Sequence, residues 1–387
     1  ADDDAIIYTI ASNQVNAIRF MAASRTLIIG TAGGEFTVSG GGDNDAVTPT
    51  NILIKKQSNH GAANIDAVAV ANATLFVQRA KRKLRELAYN FDVDGYIAPD
   101  LTILAEHVTD GGIVEMAYQE EPLAIIWCVR NDGELVALTY QREQEVVAWH
   151  RHKFGGTFGS GDSATGFGVC ESVAVIPTED SEYELYMIIK RTINGATKRY
   201  VEFLNTFDFD ESDNTSFNFL DSQLSYSGSA ATTISGLSHL EGQSVAILAD
   251  GATHPNKTVS SGSITLDRSA TKVKVGLGYT SLLKTMRIDA GAQNGTSQAK
   301  TKRIYEVTAR LYESVGVEIG PDLSNMERVP FRTSADPMDQ GIPPFTGDKE
   351  VEFRGNYDTD GFMIVRQTQP LPLTILSLYP RLVTNDG

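Results

Sequence analysis

Cysteine is scarce in this chain, which contains two in 387 residues. Cys128 and Cys170 both lie in apolar, strand-like contexts, and neither has a second cysteine at metal-ligand spacing. This pattern favours buried free thiols over a disulfide. Long apolar runs are also missing, and none approaches the roughly 20 residues that a membrane-spanning helix needs. We therefore expect no membrane insertion of this chain.

Positive charge is in short supply as well. The chain has 33 Lys and Arg against 49 Asp and Glu, a formal net charge of -16. Nucleic-acid binders gain affinity by neutralising phosphates with Lys and Arg, so this balance argues against a surface that grips DNA. It does not exclude DNA that slides past without sticking. The length allows two or three domains, or one large β-body with an insertion.

The first residues lack the features of a natural start. Residues 1–4 contain neither an initiating Met nor the basic and apolar regions of a signal peptide. We interpret them as a cut or processed end, and we expect an N-terminal portion of the natural protein to be missing.

Hairpin signals, by contrast, are abundant. In residues 125–140 apolar β-formers flank an Asn-Asp-Gly turn, whose Asp-Gly pair suits the positive φ angles of tight hairpins. Residues 184–203 surround an Asn-Gly turn in the same way, and residues 26–38 surround a Gly-Gly pair. Residues 146–152 form another extended run. These signals predict an antiparallel β-architecture.

Extended segments alternate with turn residues from Ile6 to about Leu204. Units of roughly four short strands recur about every 40 to 50 residues, which is typical of β-propeller blades. A β-sandwich fits the strand spacing almost as well. We therefore predict an all-β fold with a β-propeller-like meander body, complete or incomplete. Strands are predicted at residues 6–10, 17–21, 26–30, 35–38, 67–70, 74–78 and 84–89, and a capped apolar pattern predicts a short helical patch at residues 100–107.

The pattern changes at residues 207–218, where Asp208, Asp210, Glu211 and Asp213 crowd among polar and aromatic residues. Such a stretch indicates a linker or exposed loop. Gly-punctuated strands at residues 244–249, 263–266 and 271–277 then predict a small β-sandwich or barrel, before longer strands resume at residues 304–312, 363–366 and 373–378. We predict a β-propeller-like body at 1–221, an inserted small β-domain at 222–298, and return strands that complete the main body at 299–387.

Two histidines are the first candidates for chemistry. His150 and His152 are two residues apart, so on a strand they project from one face, as metal ligands sometimes do. A third ligand at suitable spacing is missing. We therefore favour a polar strand face that takes part in an interface or in hydrogen bonds over a metal site. With Trp127 and Trp149 they form the set of candidate interface or structural residues.

One segment matches the first half of a calcium-binding loop but not its last position. Asn90, Asp92, Asp94 and Gly95 match its first, third, fifth and sixth positions, but Leu101 stands where the bidentate Glu belongs. We favour an Asx-type turn.

Basic residues are concentrated in one run, Arg79, Lys81, Arg82, Lys83 and Arg85. One interpretation is contact with DNA phosphates or with an acidic partner subunit. The other is a single solvated strand or turn, which we favour from the charge pattern alone.

Catalytic motifs are missing. Residues 30–34 are glycine-rich but lack the P-loop ending, so a hairpin turn explains them. There is no His-Glu-x-x-His run and no nucleophile elbow, and no carboxylate pair stands out as that of a glycosidase. We predict a protein that is not an enzyme, with no catalytic residue, no cofactor and no metal.

Several separated motifs resemble the tail nozzle proteins of short-tailed bacteriophages, also called tail tubular protein B. The resemblance runs in collinear order through nearly the whole chain. The residues that carry it are 12–18, 30–36, 118–122, 127–139, 149–152, 239–251 and 369–376.

This resemblance implies a virion structural protein that assembles as a ring, typically a hexamer, below the portal and adaptor. Double-stranded DNA would pass through the ring during DNA ejection, and its partners would be the tail adaptor and the tail fibre or spike proteins. The implied location is the phage tail, assembled in the host cytoplasm. Such proteins combine a β-propeller with further β-domains and are usually longer than this chain. An acidic channel lining would repel DNA and let it pass.

Two other functions stay open from the sequence. A carbohydrate-binding or receptor-recognition module of a virion is the alternative, because β-bodies with exposed Trp and Tyr often bind sugars. A polysaccharide-degrading enzyme on a propeller is the third.

Overall fold

The computed structural model describes residues 4–10, 17–24, 26–42, 45–160, 164–179, 182–207, 209–210, 212–289, 291–292, 295–296, 298–338 and 340–385. Across these residues the fold is all-β, as predicted, with seven antiparallel sheets of three or four strands and one two-stranded hairpin. None of the described segments forms a helix with the length and hydrophobicity that crossing a bilayer requires. Short 3-10 turns lie at Arg142–Gln144, Asn214–Ser216 and Ser238–Leu240.

The chain divides into two compact units. Unit 1 comprises Ala1–Lys153, Gly168–Lys190 and Arg199–Leu204, and unit 2 comprises Phe154–Phe167, Arg191–Lys198 and Asn205–Gly387.

Unit 1 begins with two four-stranded meanders, in which the strand order of each sheet equals the chain order. Of the predicted segments here, only residues 6–10 form no strand. The first sheet contains β1 (Ile18–Ala23), β2 (Leu27–Thr31), β3 (Gly34–Ser39) and β4 (Leu53–Ser58), and the second contains β5 (Val68–Val70), β6 (Ala73–Val77), β7 (Leu84–Asn90) and β8 (Gly95–Ile97).

Two further meanders follow, and they contain the two strongest hairpin predictions, although Arg191–Lys198 at the tip of the second hairpin is assigned to unit 2. Both hairpins are confirmed, because Gly133 has φ 82° in one turn and Asn194 and Gly195 have φ 48° and 72° in the other. The third sheet contains β9 (Ile113–Gln119), β10 (Ile125–Arg130), β11 (Leu135–Gln141) and β12 (Val146–His152), and the fourth contains β13 (Val169–Pro177), β14 (Tyr183–Ile193) and β15 (Ala196–Phe203).

Successive sheets of unit 1 contact one another in chain order. The backbone N–H of Tyr96 donates to Oε1 of Gln57, 3.3 Å away, between the second and first sheets. Leu84 and Ile126 belong to one buried cluster shared by the second and third sheets. The Ser172 hydroxyl donates to Oε1 of Glu115, 2.9 Å away, between the fourth and third sheets. Apolar side chains pack between neighbouring meanders, so the core of unit 1 is distributed along the series.

Unit 2 contains a four-stranded sheet in the order β16-β19-β17-β18. The two strands predicted at 263–266 and 271–277 are one continuous strand here, and the Ser-rich first strand was not predicted, because most of its side chains are exposed and few are apolar. The strands are β16 (Asp221–Ser235), β17 (Ser244–Ala249), β18 (Ala252–Thr258) and β19 (Ser263–Leu277).

The rest of unit 2 forms a sheet in the order β20-β27-β24-β25, a three-stranded sheet in the order β26-β23-β28, and the hairpin β21-β22. Side chains of β23 alternate between buried and exposed, as expected for a sheet with one face on the core. The strands are β20 (Ser281–Lys284), β21 (Gly291–Ala292), β22 (Gly295–Thr296), β23 (Thr301–Ser314), β24 (Glu318–Asp322), β25 (Asn325–Arg328), β26 (Phe345–Glu352), β27 (Ile364–Gln367) and β28 (Thr374–Asn385).

The predicted helical patch at residues 100–107 is wrong. The Asp100 carboxylate does accept a hydrogen bond from the backbone N–H of Thr102, as a cap would, at 2.9 Å. The next backbone bonds, however, run from Ala105 to Thr102 and from Val108 to Ala105. These bonds close successive turns three residues apart, and no α-helix follows.

The predicted linker at residues 207–218 is only in part an exposed loop. Phe217 is 1% exposed and packs in the core of unit 2, and the rings of Phe209 and Phe217 meet edge to face with centroids 5.2 Å apart. The Asp210 and Asp213 carboxylates each accept backbone and hydroxyl hydrogen bonds from the residue two positions on, as turn caps. Asp208 and Glu211 lie outside the described residues.

Candidate functional site

Trp127, His150 and His152 form a ring cluster on one face of the third sheet. Strand register places Ala137 of β11 directly between Trp127 of β10 and His150 of β12. The small alanine side chain leaves room for rings from the flanking strands to meet above it. The Trp127 ring centroid lies 5.0 Å from that of His152 and 6.4 Å from that of His150. The spacing of the two histidines therefore does place both on one face.

The polar atoms of this cluster bond to one another. Nδ1 of His150 lies 2.7 Å from Nε2 of His152, and Nε2 of His150 lies 3.1 Å from the Thr139 hydroxyl. The indole N–H of Trp127 donates to Oε1 of Gln119 at 2.9 Å. The Gln119 amide in turn donates to the backbone carbonyl of Tyr183 at 2.7 Å. The cluster thus links β12, β10, β9 and β14 through side chains.

Burial sets the charge of the two imidazoles. It lowers the pKa of His150, and burial together with the neighbouring His150 lowers the pKa of His152 to about 3. Both rings are therefore neutral at pH 7, and their short contact is a hydrogen bond between neutral imidazoles. In the part of the chain that the structure describes, no group of three or more His, Cys, Asp or Glu is placed to hold a metal ion.

Trp149 occupies the opposite face of the same sheet. It is adjacent in sequence to His150, and successive residues of a strand point to opposite faces. Its indole N–H donates to the Leu101 carbonyl at 2.9 Å, and its ring packs against the cluster shared by the second and third sheets. The structure therefore brings Trp127, His150 and His152 together and leaves Trp149 separate from them.

Four members of the basic run lie in the turn between β6 and β7, where Lys81 has φ 66°, and the fifth, Arg85, lies on β7. Acidic residues of the segment that follows β8 contact two members of the basic run. The Lys83 ammonium lies 2.8 Å from Asp100 and 3.3 Å from Glu106, and Arg82 pairs with Asp110. The hydrogen bonds that the Lys83 ammonium donates to Asp100 and Glu106 raise the pKa of Lys83.

The remaining members differ in how far they face solvent. The Arg85 guanidinium donates to the Gln78 side chain at 2.8 Å and to the Ala98 carbonyl at 2.6 Å. Arg79 and Lys81 are exposed, and Arg79 makes one long bond of 3.4 Å to the Ala32 carbonyl. The positive charge of the run is thus offset by nearby carboxylates, and contact with DNA or an acidic partner stays a prediction for it.

The other motifs have local explanations. The Asn90 side chain accepts backbone hydrogen bonds from Asp92 at 2.9 Å and Val93 at 3.3 Å, which is the predicted Asx turn. Residues 30–34 form the β2-β3 hairpin turn. Cys128 and Cys170 are buried and free, and burial raises the pKa of Cys170 to about 12.

Sequence reasoning missed a cavity of about 550 Å³ in unit 2. Its walls come from residues far apart in sequence, so local patterns do not reveal it. One signal was present in the sequence, since Arg328 and Arg332 flank the apolar segment Val-Pro-Phe. Arg268 is the third arginine at the cavity.

No protein-family model matches this chain, and a search of curated proteins finds no match.

Proposed function

We propose that this chain is a structural component of a phage tail, a subunit of a ring-shaped nozzle through which double-stranded DNA leaves and to which other tail proteins attach. The proposal starts from the resemblance of seven separated sequence segments to tail nozzle proteins. The geometry of unit 1 adds support that does not depend on those segments.

The observation that carries the proposal is the series of meanders in unit 1. Three four-stranded sheets and one three-stranded sheet follow one another, each with strand order equal to chain order. A propeller blade is such a sheet, and blades pack against their sequence neighbours. Contacts such as Ser172 to Glu115 join successive sheets in that manner. We infer that unit 1 is a propeller-like body, open or incomplete, and that the sheet β16-β19-β17-β18 is the inserted small β-domain.

The net negative charge of the chain is consistent with a channel through which DNA passes. A net charge of -16 repels phosphate, so DNA near this surface is not retained by counterion release. The one concentrated basic run has Arg82 and Lys83 paired with carboxylates. These pairs reduce its attraction for phosphate.

The aromatic and histidine residues take a structural role in this proposal. The Trp127 indole is 1% exposed and its N–H is bonded to Gln119, so no substrate reaches it. Neutral, mutually bonded imidazoles at His150 and His152 suit cross-strand packing. The cluster stabilises the third sheet in the series.

A second candidate is the carbohydrate- or receptor-binding module. Exposed aromatic side chains favour it, among them Tyr89, which is 48% exposed and meets Tyr96 edge to face. Aromatic faces that stay in solvent are the usual platforms for sugar rings.

Native mass spectrometry and negative-stain electron microscopy of the purified protein test the first proposal. We expect concentration-dependent oligomers, and a ring with an axial hole when the tail adaptor is added. A protein that stays monomeric at every concentration and with the adaptor would refute it. Binding on a glycan array by that monomer would support the second candidate.

A further inference from the structure

The cavity of unit 2 has an apolar interior. It is bounded by the β17-β18 turn, by the turn between β23 and β24, and by the segment that follows β25. Its volume of about 550 Å³ lies in the range of sites that hold a few side chains or a small ligand. Buried apolar side chains line it, namely Val315, Val329, Phe331 and Leu371.

Three arginines surround this apolar interior. Arg332 already has partners within the chain, since its guanidinium donates to the carbonyls of Pro337 and Gln340. These bonds fix the segment that follows β25. Arg268 donates to the Ala249 carbonyl at 2.7 Å, and its guanidinium lies 3.9 Å from Asp250. Arg328 pairs with Glu318 through its backbone, but its side chain is exposed and has no hydrogen-bond or ion-pair partner among the described residues. A positively charged rim in a chain of net charge -16 favours an acidic occupant.

The tip of the β7-β8 hairpin has the complementary chemistry. Phe91 is 86% exposed, the most exposed aromatic side chain among the described residues, and Val93 is 63% exposed. Asp92 and Asp94 alternate with them. An apolar side chain of this size in solvent is a candidate anchor for an interface.

This tip is held in one conformation. The Asn90 side chain accepts the backbone N–H groups of Asp92 and Val93, and the Tyr89 hydroxyl donates to the Asp94 carboxylate at 2.6 Å. Asp94 has φ 45°, a conformation that these bonds fix. A preorganised tip loses little conformational entropy on binding.

We propose that the β7-β8 tip of one copy of this chain inserts into the arginine-rimmed cavity of a second copy, with Phe91 on the apolar interior and Asp92 facing Arg328. Asp92 is the acid of choice because Asp94 is already bonded to Tyr89. A tip and a cavity on the same chain make a heterologous contact, which repeats from copy to copy and closes into a ring when the rotation allows. The inference rests on the proposed ring function and names the contact that builds it.

Matched variants of the full chain test this contact. The tip variant is Phe91→Ala with Asp92→Arg, and the cavity variant is Arg328→Glu. Leu104→Ala and Arg354→Glu are the controls, since these side chains are also exposed, 93% and 69%, and lie outside the tip and the cavity lining. All five positions are on the surface, so circular dichroism and thermal melting should show folded protein throughout.

Native mass spectrometry should show that the tip and cavity variants each raise the assembly midpoint concentration at least tenfold, while the controls leave it unchanged. When the two variants are mixed, the intact tip of the cavity variant can still bind the intact cavity of the tip variant. No second contact is possible, so the mixture should form dimers and no larger assembly. The chain with Asp92→Arg and Arg328→Asp together should assemble again.

Two outcomes overturn the inference. Rings that form equally well from the tip and cavity variants leave the proposed function standing and remove this contact from it. If the wild-type chain forms no ring, the proposed function fails, and a disulfide-cyclised peptide of residues 88–97 then tests the contact alone. Binding of that peptide to the monomer, lost in Arg328→Glu, supports the contact, and no binding refutes it.

Discussion

His150 and His152 hydrogen-bond to each other across 2.7 Å on the same face of β12. Two imidazoles can share such a bond only while at least one is neutral. The Trp127 ring beside them and the Thr139 hydroxyl complete their surroundings. The packing of the third sheet therefore depends on the protonation state of these two histidines.

This coupling predicts a pH dependence of stability. The pKa of His152 falls from 6.5 to about 3 on folding, so between these values the unfolded chain binds a proton that the folded chain does not. The contribution of neutral His152 to the free energy of unfolding is therefore fully present above about pH 6.5. It is lost as the pH falls toward 3, by at most about 1.4 kcal/mol per pH unit. Urea unfolding at pH 7 and pH 4.5 should show a smaller loss for His152→Gln than for wild type. The same loss in both proteins would contradict this, and His107→Gln, at an exposed histidine, is the control.

The two tryptophans should differ in what they contribute. Trp127→Phe keeps most of the buried ring but leaves Oε1 of Gln119 without its donor, at a cost of about 1–3 kcal/mol. Trp149→Phe loses a bond to the Leu101 carbonyl at a less buried site, so its cost should be smaller. Denaturant titration measures both. A double variant with Gln119→Leu should recover part of the Trp127→Phe loss, and no recovery would mean that the bond is unimportant.

Two glycine substitutions separate backbone strain from crowding. Gly195→Ala adds a Cβ in open space at φ 72°, so only strain of about 1–2 kcal/mol is expected. Gly133→Ala adds the same strain at φ 82° and places the Cβ 2.3 Å from Cγ1 of Val169. Thermal melting should rank Gly133→Ala as the more destabilised variant. Equal melting temperatures would show that the β13 side chain moves aside at no cost.

Carboxylates should mask the basic turn between β6 and β7. Neutralising Asp100, Glu106 and Asp110 together, as Asn, Gln and Asn, frees Arg82 and Lys83 from their partners. We expect at least tenfold tighter binding to double-stranded DNA and a steeper salt dependence, because more cations then face phosphate. Fluorescence anisotropy at 50 and 200 mM salt measures both.

The matched control for this experiment neutralises Glu120, Glu121 and Glu143, which are exposed and change the net charge equally. If both triple variants bind DNA alike, the effect is one of net charge and the turn is not a DNA contact.

Local turn chemistry made the hairpins predictable. The Asn-Gly pair at residues 194–195 and Gly133 have the positive φ angles that their sequence implies. Strand alternation likewise placed His150 and His152 on one face. Strand periodicity does not reveal that Ala137 of the neighbouring strand lies between His150 and Trp127.

The missed elements lack such local signals. β16 is rich in Ser, Thr and Ala, and β18 contains Pro255, so neither has an apolar alternation. The helical prediction at residues 100–107 failed because a helix cap and a turn cap use the same Asp side chain. The arginine-rimmed cavity brings together residues from 251 to 371, and tertiary packing alone places them side by side.

The meanders of unit 1 also bear on how the chain folds. Each of their strands pairs with the strand next along the chain, as β10 does with β9 and β11. Such pairings have low contact order, so these sheets can form one after another during translation. β23 pairs with β28, and β24 to β27 lie between these two strands in the sequence, so this pairing has a high contact order. Folding of unit 2 is therefore expected to be the slower, aggregation-exposed step.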